Sequence, residues 1–216
     1  MTIGLYSFRV NNNLKVSVHC AIIYTMNELI RVESSSNSNY ANGIGFAMVR
    51  PDAMDCHLDS EIIHRIEQSG LHILKRKIST LSEEHVDGIY RNLLNRPYYQ
   101  PLRSSLVGRV AMSLIVGGSD NVSAQLTAMK GSAEDTCGTI RGDLSAGHLL
   151  NGDLYTDYIN EQLSPAQLDS PEWSKVLRDD RIHTDETSEE AMNSIHTIFS
   201  RYELADLGNF IPPPKS

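Results

Sequence analysis

With 216 residues and a formal net charge of −8, the chain is long enough for one mid-sized domain with extensions, and too acidic to bind nucleic acid irrespective of base sequence, which depends on surplus Lys and Arg. Its 40% hydrophobic and 21% charged residues are those of a folded globular protein rather than a disordered or fibrous one. The longest early apolar run, VSVHCAIIY, falls far short of the ~20 residues of a membrane span, and Cys20, Cys56 and Cys137 make neither a disulfide framework nor a zinc site, so a cytoplasmic location and no membrane partner are expected.

Residues 1–27 carry no acidic side chain, as in organelle transit peptides, yet Arg9 and Lys15 are thin positive charge for such a segment. ESSSNSNYANG (33–43) has little to bury and reads as a linker. The expected organisation is therefore an N-terminal extension and linker over 1–43, a domain over 44–202 and a Pro-rich tail over 203–216.

The domain opens with a short apolar strand, IGFAMVR (44–50). LDSEIIHRIEQSG (58–70) then places Leu58, Ile62 and Ile66 on one helical face before a glycine stop. LHILKRKIST (71–80) reads as a second strand. Val86, Ile89, Tyr90, Leu93 and Leu94 predict an amphipathic helix over 82–95, ended by Pro97. RVAMSLIVGG (109–118) is the most continuous buried-strand signal, and Val122, Leu126 and Met129 follow in helical register over 120–130. An insert at about 145–177 carries Leu163 and Trp173, and is expected to hold helical pieces, one capped by Ser170 at SPEW. A short strand at Arg181–Thr184 precedes a helix over 187–200 with a Thr187/Glu190 capping box and Ala191, Ile195, Ile198 and Phe199 as its apolar stripe. The order β-α-β-α-β-α-β predicts an α+β fold, a ferredoxin-like α/β sandwich with an antiparallel four-stranded sheet.

Three segments carry candidate chemistry. CGTIRGDL (137–144) flanks Arg141 with two glycines, which suits either a tight turn with a surface arginine or a guanidinium aimed at an anion. VRPDAM (49–54) ends a strand at Arg50, as a solvated turn arginine or as a second cation at the same sheet edge. RIHTDET (181–187) sets His183 at a strand end just before a helix N-terminus, where backbone N–H groups favour phosphate. A metal site of His183 with Asp185 and Glu186 is the weaker reading, and His57, His64, His72, His85 and His196 show no ligand-like spacing.

VRPDAM, LNRPYYQPL, CGTIRGDL and RIHTDETSEEAMNSI, in that order, resemble the nucleoside diphosphate kinase family over roughly residues 44–200, GTIRGD most specifically. The resemblance implies a phosphotransferase that moves the γ-phosphate of a nucleoside triphosphate to a diphosphate through a phosphohistidine, with Mg²⁺ on the nucleotide and a hexameric or tetrameric homo-oligomer. Its nucleophile falls on His183 and its phosphate arginine on Arg141. Tyr90 stands near the imidazole, Arg50 replaces the family lysine, and Tyr98 and Leu102 fall at the base.

Departures accompany these matches. Thr127 stands where the family has a second phosphate arginine, and Asp180, counted with the nucleotide-binding positions, replaces an asparagine. Ser194 replaces the glutamate that supports the histidine, and Asp185 a serine. A carboxylate about 4 Å from phosphate charge adds up to ~4 kcal/mol of repulsion at an effective dielectric of ~20, unless it recruits Mg²⁺. Two further readings stand beside the kinase: a nucleotide-binding or interaction module with weak or no turnover, motivated by Thr127, Asp180 and Ser194, and a metal hydrolase resting on His183 and the nearby acids.

Overall fold

The structure, a computed structural model, describes residues 43–132, 137–145, 157, 162–173 and 180–207. The expected N-terminal extension, most of the insert and the tail beyond Leu207 lie outside the described residues. Four strands, β1 (Ile44–Val49), β2 (His72–Thr80), β3 (Val110–Gly117) and β4 (Ile182–Thr184), form one sheet in the order β2-β3-β1-β4, every pairing antiparallel. This is the expected ferredoxin-like arrangement. The central strands explain themselves by hydropathy: Phe46 to Val49 in β1 and Leu114 to Val116 in β3 are fully buried, whereas edge strand β2 holds Lys75 and Lys77 half-buried and Arg76 exposed.

Strand alternation sends neighbouring side chains into two cores. Phe46, Met48 and Ile115 pack against α3 (Glu83–Ile89), α4 (Tyr99–Leu106) and α8 (Ser188–Ile198). Ala47, Val49, Leu114 and Val116 pack against α2 (Asp59–Gln68) and α5 (Val122–Lys130). Three shorter α-helices, α1 (Pro51–Asp55), α6 (Ile140–Leu144) and α7 (Pro165–Leu168), are also described. Gly88 lets α3 approach α8: a Cβ there would meet Thr197 Cγ2 at 2.5 Å.

The sheet and the α8 capping box follow the sequence reading, with Thr187 Oγ1 accepting from the Glu190 amide and the Glu190 carboxylate accepting from Thr187 N. The Ser170 cap at SPEW is present too, its Oγ accepting from Trp173 N at 3.1 Å. The helix expected over 82–95 stops at Ile89, well before Pro97, and a 3₁₀ turn over Arg91–Leu93 leaves Leu94 45% exposed. Leu93 and Leu94 thus mimic a helical stripe that the chain does not build. Helix α4 is not among the elements expected from the sequence; its Pro101 occupies the first turn, where the missing N–H costs nothing, and Tyr99, Leu102 and Leu106 form the buried face.

Candidate active site

His183 is the middle residue of β4, paired opposite Met48 of β1. Ile182 and Thr184 are buried, and the alternation of the strand turns the imidazole to the other side. There the ring meets Tyr90, with centroids 4.5 Å apart, and the edge of Phe46 at 6.4 Å. One more alternation returns Asp185 to the same side. Its Oδ1 lies 3.1 Å from His183 Nε2, and its side chain is 4% exposed.

Arg50 and Arg141 reach one point from different elements. Arg50 follows β1 and is held at the backbone by its N–H to Arg181 O at 3.0 Å. Arg141 lies in α6, which the GTIRGD residues build: Thr139 caps Gly142 N, Asp143 accepts from Gly138 N and from Arg65, and Arg181 donates to Leu144 O. Arg141 is therefore in a capped helix, not the tight turn its two glycines suggest, and Arg50 is buried rather than a solvated turn residue.

Both guanidiniums bind Asp180. Arg50 Nη1 donates to Oδ2 at 2.6 Å, and Arg141 Nη2 and Nε donate to Oδ1 at 2.9 and 3.2 Å. Burial alone would raise the Asp180 carboxyl, but the charges of Arg141 and Arg50, with the Arg141 hydrogen bond, hold it well below the usual carboxylate range. Asp180 thus turns inward and bridges the two cations, taking one hydrogen bond from Arg50 and two from Arg141.

Thr127 brings no charge to this corner; its hydroxyl lies 3.3 Å from Thr184 Oγ1 and ties α5 to β4. One helical turn later stands Lys130, a half-buried cation that the sequence reading did not single out. Burial, then the charge of Arg141, lowers the Lys130 pKa, opposed by Asp180, Glu186 and Asp185. The Tyr90 hydroxyl is buried without a hydrogen-bond partner among the described residues, and burial pushes its pKa up, so it remains a proton donor.

The two residues expected at the base are both buried. Leu102 is 5% exposed within the α3–α4–α8 core. Tyr98 is 9% exposed and packs with Leu163 and Trp173 of the insert, the Trp173 ring edge-on with centroids 6.3 Å apart. The structure joins His183, Tyr90, Arg50, Arg141 and Asp180 in one site, adds Asp185 and Lys130, and leaves Tyr98 and Leu102 without an open face.

A sequence model of the family described as nucleoside diphosphate kinase matches residues 44–152. The nucleoside diphosphate kinase of Staphylococcus saprophyticus is 29% identical over 124 residues, covering 55% of this chain and 83% of that protein. The Staphylococcus haemolyticus enzyme is 34% identical over 101 residues, covering 46% of this chain and 68% of that protein. Among solved structures, nucleoside diphosphate kinase from Halobacterium salinarum in complex with CDP aligns with a TM-score of 0.55 and 20% identity, over 75% of this chain and 90% of that one. The Borrelia burgdorferi enzyme, a transition-state mimic with bound vanadate and ADP, aligns at 0.53 and 16% identity, over 74% and 89%. These folds agree with the sheet order and helix placement above, and the matched residues include Arg50, Tyr90 and Arg141. The chain belongs to the nucleoside diphosphate kinase family.

Proposed function

We propose that this family member transfers the γ-phosphoryl group of a nucleoside triphosphate to a nucleoside diphosphate through a phosphohistidine on His183. The observation that carries the reading is the commitment of Nε2 to Asp185 at 3.1 Å. A carboxylate accepts, so Nε2 carries the ring proton and Nδ1 keeps the lone pair. In the first half-reaction Nδ1 attacks the γ-phosphorus, the N–P bond forms, and the bond to the bridging oxygen breaks with its electron pair left on the departing diphosphate. In the second, a terminal oxygen of the acceptor diphosphate attacks phosphorus and the N–P electrons return to Nδ1. Arg141, Arg50 and the unpartnered Tyr90 hydroxyl are donors suited to the equatorial oxygens.

Among the described residues no group of three or more His, Cys, Asp and Glu is arranged to hold a metal ion, and both Asp180 oxygens are engaged by arginine. The fit is to Mg²⁺ carried in on the nucleotide, where it neutralises phosphate charge. No helix among the described residues is long and apolar enough to cross a membrane, and a cytoplasmic homo-oligomer is the arrangement proposed with this activity.

A ping-pong exchange tests the reading. With GTP as donor and ADP as acceptor, double-reciprocal plots at several fixed ADP concentrations should be parallel; intersecting lines, or GTP hydrolysis without ATP formation, would remove it. Binding without any exchange would favour the nucleotide-binding module.

Covering of Tyr98 adds an expectation of its own. A base stacks on an aromatic face, and Tyr98 offers none while Leu163 and Trp173 enclose it. Seating a base there requires Trp173 to move, and it is the only tryptophan of the chain. Saturating ADP is expected to shift Trp173 emission to the red as the indole meets water. Unchanged emission with ADP bound would place the base away from Tyr98.

A further inference from the structure

Asp185, whose bond to Nε2 supports the reading above, is a deeply buried carboxylate beside His183, with Oδ1 on Nε2 and Oδ2 without a hydrogen-bond partner among the described residues. A carboxylate enclosed with so little compensation is costly unless its charge is needed. The need arises at the imidazole. When Nδ1 takes a phosphoryl group while Nε2 keeps its proton, the ring becomes an imidazolium, and positive charge appears 3.1 Å from a fixed negative one.

The surroundings leave that task to Asp185. Ser194 of α8 is buried and neutral, and the side chains whose rings pair with the imidazole, Tyr90 and Phe46, are aromatic. Asp180 is saturated by Arg50 and Arg141. Asp185 follows β4 directly, and its carbonyl lies 3.5 Å from Thr127 Oγ1.

Resting on the phosphohistidine reading above, we propose that Asp185 is the positioning residue of His183: it fixes the tautomer with the proton on Nε2, aims Nδ1 toward the arginines, and stabilises the imidazolium as the N–P bond forms. The carboxylate partner of the histidine then comes from the same strand, two residues on, rather than from α8. The Asp–His pair stays in place through both half-reactions and exchanges no proton with the nucleotide.

Two measurements test this. In ¹⁵N-histidine spectra of the native chain, the His183 signals, identified by their loss in His183→Asn, should show Nε2 protonated and Nδ1 bare, and Asp185→Ala should mix the tautomers. In rapid-quench labelling by γ-labelled ATP, Asp185→Asn and Asp185→Ala should slow phosphorylation of His183 on the order of 100-fold, with ADP affinity within about threefold of native. A native imidazole protonated at Nδ1, variants labelled at the native rate, or ADP affinity falling in step with the rate would each overturn the proposal. A native chain that never labels His183 would instead sink the phosphohistidine reading, while the tautomer spectrum, read on the native chain, still decides whether Asp185 holds Nε2.

Discussion

Replacement of Asp180 by Asn is expected to tighten ADP binding roughly 10- to 100-fold and to lower Tm by roughly 3–8 °C. Both effects come from one arrangement. Asp180 takes three charge-assisted hydrogen bonds from Arg50 and Arg141, so a phosphate group must displace a carboxylate to reach either cation. Such bonds are worth about 1.5–3 kcal/mol each, and phosphate recovers most of that, leaving a net gain of about 1.4–2.8 kcal/mol when the competing charge is gone. The stability cost is the converse: two guanidiniums, 2% and 20% exposed in their side chains, lose their shared counter-charge. Asp180 has its carboxyl lowered in the fold from the ordinary 3.8, so its contribution is complete above that value and is lost as pH falls through the lowered one. The Tm gap between native and variant should be full at pH 6 and close in strong acid. Weaker ADP binding by Asp180→Asn would mean instead that the carboxylate orders the arginines for phosphate.

His183→Ala should reduce nucleoside diphosphate-dependent exchange by several powers of ten while leaving ADP affinity within about threefold. The asymmetry follows from position. Arg50 and Arg141, the cations proposed for phosphate, are anchored to Arg181 O, Gly131 O and Asp180, none of which depends on the imidazole. What the variant loses is the only described histidine in contact with Tyr90 and Asp185, and with it the nitrogen that carries the group between two nucleotides. Calorimetry with ADP beside the exchange assay separates the effects. A parallel loss of binding and exchange would assign His183 a structural part.

The sheet was readable because β1 and β3 are continuous apolar runs and α2, α5 and α8 keep helical spacing; those signals come from burial, which dictates residue type directly. Leu93 and Leu94 misled because spacing does not reveal where a helix turns away, and α4 was not read at all. In the candidate site, GTIRGD and the strand-to-helix setting of His183 pointed to residues that the fold places near Tyr90, Arg50 and Asp180. Asp185 was legible in principle, since i and i+2 of an extended chain share a side, but weighing it as a metal ligand and as a departure from the family serine hid the simpler hydrogen bond. The inward turn of Asp180 was not legible. It depends on Arg50 and Arg141 converging from segments 91 residues apart, which no local pattern encodes.

The most direct test of the central claim is a single-turnover chase. The native chain is incubated with γ-labelled ATP, separated from nucleotide, and mixed with GDP. The account predicts an acid-labile, base-stable label on His183 that passes quantitatively to GTP within the time of one catalytic cycle. A label that forms equally on His183→Ala, or one that is released to water as inorganic phosphate when GDP is added, would contradict it.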